Sequence, residues 1–209
     1  MTAAERRVGA PGLARPATAK DNPSVSEPAA ETPVEAYLAL EAASTPGHAR
    51  HEFWDGRIRA MGGASMRHNQ LVLGIGSELR TKLSNGPCRA LVSDMRVRLS
   101  AHRYVYPDVV VACPPEVDAQ QRPETLTNPR VVFEVLSPST AAVDRGDKLE
   151  AYRAIESLTD YVIVDPDRET FDHYARNADG SWLLRTLSRQ DSLQFAGLDV
   201  ALMLDRVFD

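Results

Sequence analysis

Two short apolar segments, each carrying one acidic residue, constrain the fold of this chain more than any other feature. Val109, Val110 and Val111 directly follow Asp108, and Glu134 lies inside the apolar run 131–136. Runs of β-branched residues favour strands that are covered on both faces. A carboxylate in such a strand is costly unless a cation, a metal ion or hydrogen-bond donors accompany it. The two acids therefore predict a polar site built into a buried sheet.

Local signals before these strands predict two helices and a hairpin. The capping-box pattern at residues 32–35 starts a helix that runs to about Ala43, and Pro46-Gly47 ends it. Asp55-Gly56 predicts the turn of a hairpin. A longer helix is expected between the cap Ser65 and residues 85–87. Its apolar residues recur at helical spacing: Leu71, Val72, Ile75, Leu79 and Leu83.

The remaining pattern predicts strands around one further helix. Strands are expected at 89–92, 95–99, 104–112, 131–136 and 161–164. Edge strands or hairpins are expected near 171–174, near 182–187 and in the C-terminal segment. Residues 114–129 are interpreted as a surface loop. Ser137-Pro138-Ser139-Thr140 is expected to turn the chain into a helix over about 144–155, with Thr140 as a candidate N-cap. This order predicts an α/β fold with a mixed sheet flanked by helices and added antiparallel hairpins.

Composition divides the 209 residues into a tail and one domain. Residues 1–31 are rich in Ala, Pro, Ser, Thr and Glu and are expected to be disordered, whereas 32–209 can form a core. No apolar stretch is long enough to cross a bilayer, and no apolar region follows Arg6 and Arg7 as in a signal peptide. We therefore expect a cytoplasmic protein without membrane contact. Cys88 and Cys113 are interpreted as small buried apolar residues, with a disulfide as the minor alternative.

The chemistry of the two acids favours a divalent metal site. Hard cations such as Mg²⁺ prefer oxygen ligands, often one or two carboxylates with water and substrate phosphate. Asp108 and Glu134 on neighbouring strands are candidate ligands for Mg²⁺ or Mn²⁺, and the backbone carbonyl of Val135 is a third. The formal net charge of −5 argues against a broad basic surface for nucleic acid, so any such contact must be local.

An ordered set of motifs resembles the Uma2 family of the PD-(D/E)xK nuclease superfamily. Tyr-Pro-Asp-Val-Val-Val stands at 106–111, Val-Phe-Glu-Val-Leu-Ser-Pro-Ser-Thr at 132–140, and Asp-Arg-Gly-Asp-Lys-Leu-Glu-Ala-Tyr at 144–152. His-Glu-Phe-Trp-Asp-Gly at 51–56, His-Asn at 68–69 and Ser-Asp-Met-Arg-Val at 93–97 extend the resemblance upstream. It covers roughly residues 33–205 and implies a restriction-endonuclease-like fold.

The resemblance also implies roles for particular residues. Asp108 and Glu134 are expected to bind the metal, with Glu52 as a further acid. The superfamily has a lysine two residues after the second acid, where this chain has Leu136. Lys148 is the candidate replacement, and would orient the attacking water or stabilise transition-state charge.

Each supporting residue also has a purely structural interpretation. Glu52 can pair with Arg50 or Arg57, and Lys148 with Asp144 or Glu150 along a helix. His68 can contact phosphate or a carboxylate, but a capping or packing role is favoured. Asp94 is interpreted as a turn cap or a partner of Arg96, with a supporting role at the site as the alternative.

These patterns together predict a metal-dependent endonuclease acting on DNA, expected to be a homodimer because two sites are needed to cut both strands. The rival hypothesis is an inactive nuclease-fold module that binds nucleic acid or a protein, which Leu136 and the acidic charge balance favour. A third alternative is an enzyme acting on another phosphodiester, such as a nucleotide.

Overall fold

The computed structural model describes residues 31–44, 49–137 and 141–208, without the side chains of 142 and 143. Most of the predicted disordered tail, the helix stop at Pro46-Gly47 and the turn residues 138–140 lie outside the described residues. The described helices are α1 (Val34–Ala43), α2 (Met66–Lys82), α3 (Ala141–Arg145), α4 (Asp147–Arg153) and α5 (Asp205–Phe208).

The strands form two large mixed sheets and one small antiparallel sheet. They are β1 (His51–Trp54), β2 (Arg57–Ala60), β3 (Arg89–Val92), β4 (Arg96–Ser100), β5 (Arg103–Val105), β6 (Val109–Ala112), β7 (Val117–Asp118), β8 (Thr125–Leu126), β9 (Val131–Val135), β10 (Asp160–Asp165), β11 (Thr170–Arg176), β12 (Trp182–Ser188), β13 (Ser192–Gln194) and β14 (Ala201–Met203). The first sheet has the order β2-β1-β5-β4-β8-β7, and the second β12-β11-β10-β9-β6-β3; β13 pairs with β14. The predicted α/β class, with a mixed sheet, flanking helices and extra hairpins, is confirmed.

Several elements predicted from local sequence signals are present in the structure. Trp54 pairs with Arg57 across a two-residue turn, where Asp55 and Gly56 both have positive φ, as a type I′ hairpin requires. The side chain of Ser65 accepts a hydrogen bond from the backbone N–H of His68 and caps α2. The five predicted apolar residues of α2 are all buried.

Other boundaries differ from the predictions. The first helix starts after Pro33 without a side-chain cap, so the predicted capping box at 32–35 is wrong. The single strand expected at 104–112 is two strands, β5 and β6, in different sheets. Pro107 lies in the link and has no backbone N–H to continue a ladder. The single helix expected at 144–155 is also divided, because Gly146 has non-helical φ and ψ between α3 and α4.

The segment 114–129 is more ordered than a surface loop. It contains β7 and β8, and both residues of β8, Thr125 and Leu126, are buried. The fully buried Arg96 of β4 donates hydrogen bonds to Thr125, Gln121 and the carbonyl of Pro123. A buried guanidinium needs such acceptors, which holds the segment against the first sheet.

Cys88 and Cys113 form a disulfide, so their interpretation as free buried residues is wrong. Arg89 of β3 pairs with Ala112 of β6, and each cysteine is the next residue beyond that pair. The antiparallel register therefore places the two thiols side by side, although 25 positions separate them in sequence.

Successive side chains of β9 point alternately to the two faces of the second sheet and belong to two separate hydrophobic clusters. Val131, Phe133 and Val135 of β9 face α2 and α5. Val132 and Leu136 face the opposite way, with α4 and with residues of the first sheet such as Trp54 and Val97. Glu134 has the same parity as Val132, so its side chain points to this second cluster. No helix in the described part of the chain is long and apolar enough to span a membrane.

Candidate active site

A buried lysine lies at the centre of three carboxylates. Nζ of Lys148 is 3.0 Å from Oε1 of Glu52, 3.2 Å from Oε1 of Glu134 and 3.3 Å from Oδ1 of Asp144. We call these four residues the acid–lysine cluster. All three distances are within ion-pair range, so one ammonium is shared by three acids. The lysine thus links the first sheet, the second sheet and the α3–α4 segment.

The fold brings these side chains together from distant positions. Glu52 comes from β1, Glu134 from β9, and Lys148 from the inner face of α4. Tyr152, one turn after Lys148, donates a hydrogen bond to Oε1 of Glu134 over 3.1 Å. The hydroxyl of Tyr161 donates to the backbone carbonyl of Asp144 at 3.0 Å. Two buried tyrosines therefore supply the polar lining that this cluster needs inside an apolar core.

Burial and charge act in opposite directions on the lysine. Burial lowers the pKa of Lys148, but Glu134, Glu52 and Asp144 outweigh it and raise that pKa above its usual value. For Glu134, burial is the main cause of a pKa well above the usual range; Lys148 lowers it, and Asp144 and Asp108 raise it further. Three carboxylates and one ammonium leave two excess negative charges when all four are ionised. A proton on Glu134, whose pKa is raised, or a bound cation would reduce this excess.

Asp108 is fixed beside this cluster by two donors. The backbone N–H of Val135 donates to its Oδ2 at 2.7 Å, and Nε2 of His68 lies 3.2 Å from the same oxygen. The ladder between β6 and β9 ends with the pair Val109 and Phe133, so Asp108 follows that pair on the side where Glu134 lies. Its hydrogen bond with His68 raises the pKa of that histidine, although partial burial opposes the shift. Among the described residues, Nδ1 of His68 is buried without a hydrogen-bond partner.

The available donors fit a hard divalent cation. Carboxylate oxygens from Asp108 and Glu134 are of the type that Mg²⁺ and Mn²⁺ prefer, and the excess negative charge favours a cation. No group of three His, Cys, Asp or Glu side chains within the described ranges forms a complete cage. Mg²⁺ commonly uses only one or two carboxylates, with water and substrate phosphate as its other ligands.

The structure brings together most of the residues singled out in the sequence. Glu52 contacts Lys148, not Arg50 or Arg57. Lys148 does pair with Asp144 as the structural alternative suggested, but two further acids share it. Asp94 is largely exposed, and its carboxylate forms an ion pair with Arg50 at 3.3 Å. Its expected partner Arg96 is bound by the 114–129 segment instead.

Asp144 and Tyr152 belong to the site but were not singled out as site residues. Asp144 lies four residues before Lys148, and Tyr152 lies four residues after it. This spacing would place all three residues on one face of a continuous helix. That spacing, next to a candidate lysine, is the signal that identifies them. The break at Gly146 does not separate them, because both residues reach the cluster from adjoining short helices.

Comparison with known proteins assigns the chain to a family. The sequence profile of the Uma2 family, described as "putative restriction endonuclease", matches residues 34–204. The chain belongs to the Uma2 family. Two Synechocystis sp. proteins that carry the description "uncharacterized" are similar to this Uma2 chain. Protein slr1290 is 33% identical over 160 residues, covering 76% of this chain and 83% of the relative; sll1609 is 32% identical over 157 residues, covering 75% and 87%.

A crystal structure from Anabaena variabilis shares the fold of this Uma2 chain. It is described as a "putative nuclease belonging to DUF820" and superposes with a TM-score of 0.63. The alignment covers 82% of this chain and 96% of the other, at 14% sequence identity. This likeness confirms the nuclease-like architecture that the motif order predicts.

Proposed function

We propose that this Uma2 protein is a metal-dependent endonuclease that hydrolyses phosphodiester bonds of DNA. The observation that carries the proposal is the acid–lysine cluster, in which Lys148 contacts Glu134 from α4. A lysine near the second acid is what the superfamily resemblance requires, and position 136, where it is expected, holds leucine. The helix supplies the cation from a different part of the chain.

Asp108 and Glu134 would hold Mg²⁺ or Mn²⁺, with the carbonyl of Val135 as a third oxygen and Glu52 in support. Two donors on Oδ2 of Asp108 hold its carboxylate in one orientation. Lys148 and Tyr152 both contact Oε1 of Glu134, so they orient the second acid in the same way. The bound cation would polarise the phosphodiester and stabilise charge as it develops on the phosphate.

Lys148 acts as an ammonium and not as a base. Its raised pKa keeps it protonated at neutral pH. It therefore orients the attacking water and stabilises negative charge, but does not accept the proton of that water. Water attacks phosphorus and releases a proton to solvent, the bond between phosphorus and the 3′ oxygen breaks, and that oxygen takes up a proton from solvent. The products are a 5′-phosphate and a 3′-hydroxyl.

A catalytically inactive nuclease-fold module is the second candidate. One observation favours it: the ammonium of Lys148 is already shared by three acids. Such a module would bind nucleic acid or a protein without cutting it. Metal binding distinguishes the two candidates, because an inactive module has no need to retain it.

The decisive experiment combines cleavage with metal binding. Supercoiled plasmid and single-stranded DNA are incubated with Mg²⁺ or Mn²⁺ and with wild-type protein, Asp108→Ala or Lys148→Ala. Asp199→Ala is the matched control, since Asp199 is exposed in the loop between β13 and β14. We expect metal-dependent nicking by wild type and control, and its loss in the other two variants. Calorimetry with Mn²⁺ should show binding that Asp108→Ala weakens.

The opposite result has an equally clear meaning. If no substrate is cut and Mn²⁺ does not bind to wild type, the nuclease proposal fails and the binding module is supported. We also propose a homodimer, because two sites in one assembly can cut both strands of a duplex. Sedimentation of the wild-type protein tests that proposal separately from cleavage.

A further inference from the structure

The edge strand β2 carries two exposed arginines, Arg57 and Arg59. Residues directly opposite one another in an antiparallel pair project from the same face of the sheet. Arg59 pairs with Glu52 of the acid–lysine cluster, and Arg57 pairs with Trp54, which packs in the cluster shared by the two sheets. Both guanidinium groups therefore project from the sheet face that carries Glu52.

The intervening residue supports this assignment of faces. Ile58 pairs with Phe53, which pairs with Tyr104 on its other side. All three pack in the small cluster around Tyr37, on the opposite face of the first sheet. Arg103, which also pairs with Trp54, stacks over the Trp54 ring at 5.3 Å, as expected for residues on one face.

Arg57 and Arg59 have no ion-pair partner within the described parts of the chain. Glu52 lies directly across from Arg59, yet its carboxylate contacts Lys148 at 3.0 Å. The neighbouring basic residue Arg103 is different, because it donates to Asp55. Two unpaired positive charges thus border an acidic site in a chain of net charge −5.

We propose that Arg57 and Arg59 form a contact strip for the phosphate backbone of double-stranded DNA, which they hold against the acid–lysine cluster. This inference rests on the proposed nuclease function and adds the surface that binds its substrate. Successive same-face residues of a strand are about 6.7 Å apart, so two guanidinium groups follow one stretch of backbone. Arginine suits this role since its planar group binds phosphate through two donors.

Salt-dependent binding tests the strip. Fluorescence anisotropy is measured with a labelled 20-base-pair DNA in EDTA, so that no cleavage occurs, across a range of NaCl concentrations. The test variant is Arg57→Gln with Arg59→Gln. The control, Arg80→Gln with Arg185→Gln, removes the same charge from two other exposed positions. Arg185 lies on the face of the second sheet opposite Glu134, and α2, which carries Arg80, packs on that same face.

Each phosphate contact contributes about 0.9 to the slope of log K against log salt concentration. We expect the strip variant to have a slope shallower by about 2 and at least tenfold weaker binding in low salt. The control should match wild type. The melting temperature of both variants should also match, since all four arginines are exposed.

Three results would overturn the inference. If DNA is bound and cut but the strip variant behaves like the control, the strip is wrong and the proposed nuclease stands. If the strip variant self-associates while retaining the wild-type salt slope, the arginines only protect an edge strand from pairing with other chains. If wild type neither binds nor cuts DNA, both proposals fail.

Discussion

The ammonium of Lys148 lies 3.2 Å from Oε1 of Glu134, although the two residues belong to different elements, α4 and β9. At the position where the superfamily has its lysine, Leu136 packs in the apolar cluster between the sheets. The chain thus provides the positive charge from a helix instead of from the strand that carries the acid. The consequences of this arrangement for stability and pH dependence can be measured.

Replacement of Lys148 should destabilise the fold strongly. Lys148→Met leaves the buried Glu134 and Asp144 and the half-buried Glu52 together without a cation, and breaking such a buried pair costs about 3–5 kcal/mol. Urea unfolding in EDTA measures this loss, with Lys82→Met near the end of α2 as the control. Addition of Mn²⁺ should recover part of the loss. A variant as stable as wild type would contradict the central role of Lys148 in holding the acids.

Removal of the Tyr152 hydroxyl should have a smaller effect. Tyr152→Phe keeps the ring in the core but deletes the donor to Oε1 of Glu134. Hydrogen bonds to charged groups contribute about 1.5–3 kcal/mol, and Lys148 remains as a second partner, so we expect the lower end of that range. Tyr174→Phe is the control, because Tyr174 is only partly buried. Equal unfolding free energies for the two variants would show that the Tyr152 hydrogen bond contributes nothing measurable.

The contact between His68 and Asp108 predicts a pH-dependent contribution to stability. The pKa of His68 in the folded state is raised, mainly by its hydrogen bond with Asp108. A raised pKa means that the folded protein holds the proton more tightly than the unfolded chain. The stabilisation should be complete below the ordinary histidine pKa of about 6.5 and disappear as pH rises through the folded value.

The measurement compares wild type with His68→Asn by urea unfolding in EDTA between pH 5 and 9. The difference in unfolding free energy should shrink as pH increases across that window. His102→Asn serves as the control, since His102 lies in the turn between β4 and β5. A difference that stays constant with pH would indicate that His68 is neutral and only packs.

The disulfide should stabilise the edge of the second sheet. Cys88 and Cys113 close a loop over a sequence separation of 25, for which the chain-entropy estimate is about 3.5 kcal/mol. Cys88→Ala with Cys113→Ala should lower the unfolding free energy by roughly that amount relative to oxidised wild type. Thiol titration of the denatured, unreduced protein should find no free thiol. Two free thiols would show that the cysteines are not bonded in the purified protein.

Local sequence signals were sufficient for the elements that depend on near neighbours. Asp55-Gly56 specifies its hairpin because the turn requires positive φ at both positions, and Ser65 caps α2 through a residue three positions away. Asp108 and Glu134 stood out because each is an acid next to or within a run of strand-forming apolar residues. None of these inferences requires knowledge of a distant partner.

Signals that depend on distant partners were missed or misread. Residues 114–129 look like a loop until Arg96 provides a buried cation for them to bind. The two cysteines are far apart in sequence, and only the register of β3 with β6 makes them neighbours. The division of 104–112 between two sheets likewise depends on which strands β5 and β6 find as partners.

The sequence by itself determined most of the strand and helix segments, the α/β class and the identity of the two central acids. These properties follow from backbone preference and from the cost of burying a charge, both of which act over a few residues. Only the tertiary structure decided which cation meets Glu134 and that Asp144 and Tyr152 join it. It also decided that Arg59, opposite Glu52, has no ion-pair partner among the described residues. Those contacts arise where two sheets and α4 pack together, because packing sets the distances between groups that the chain separates widely.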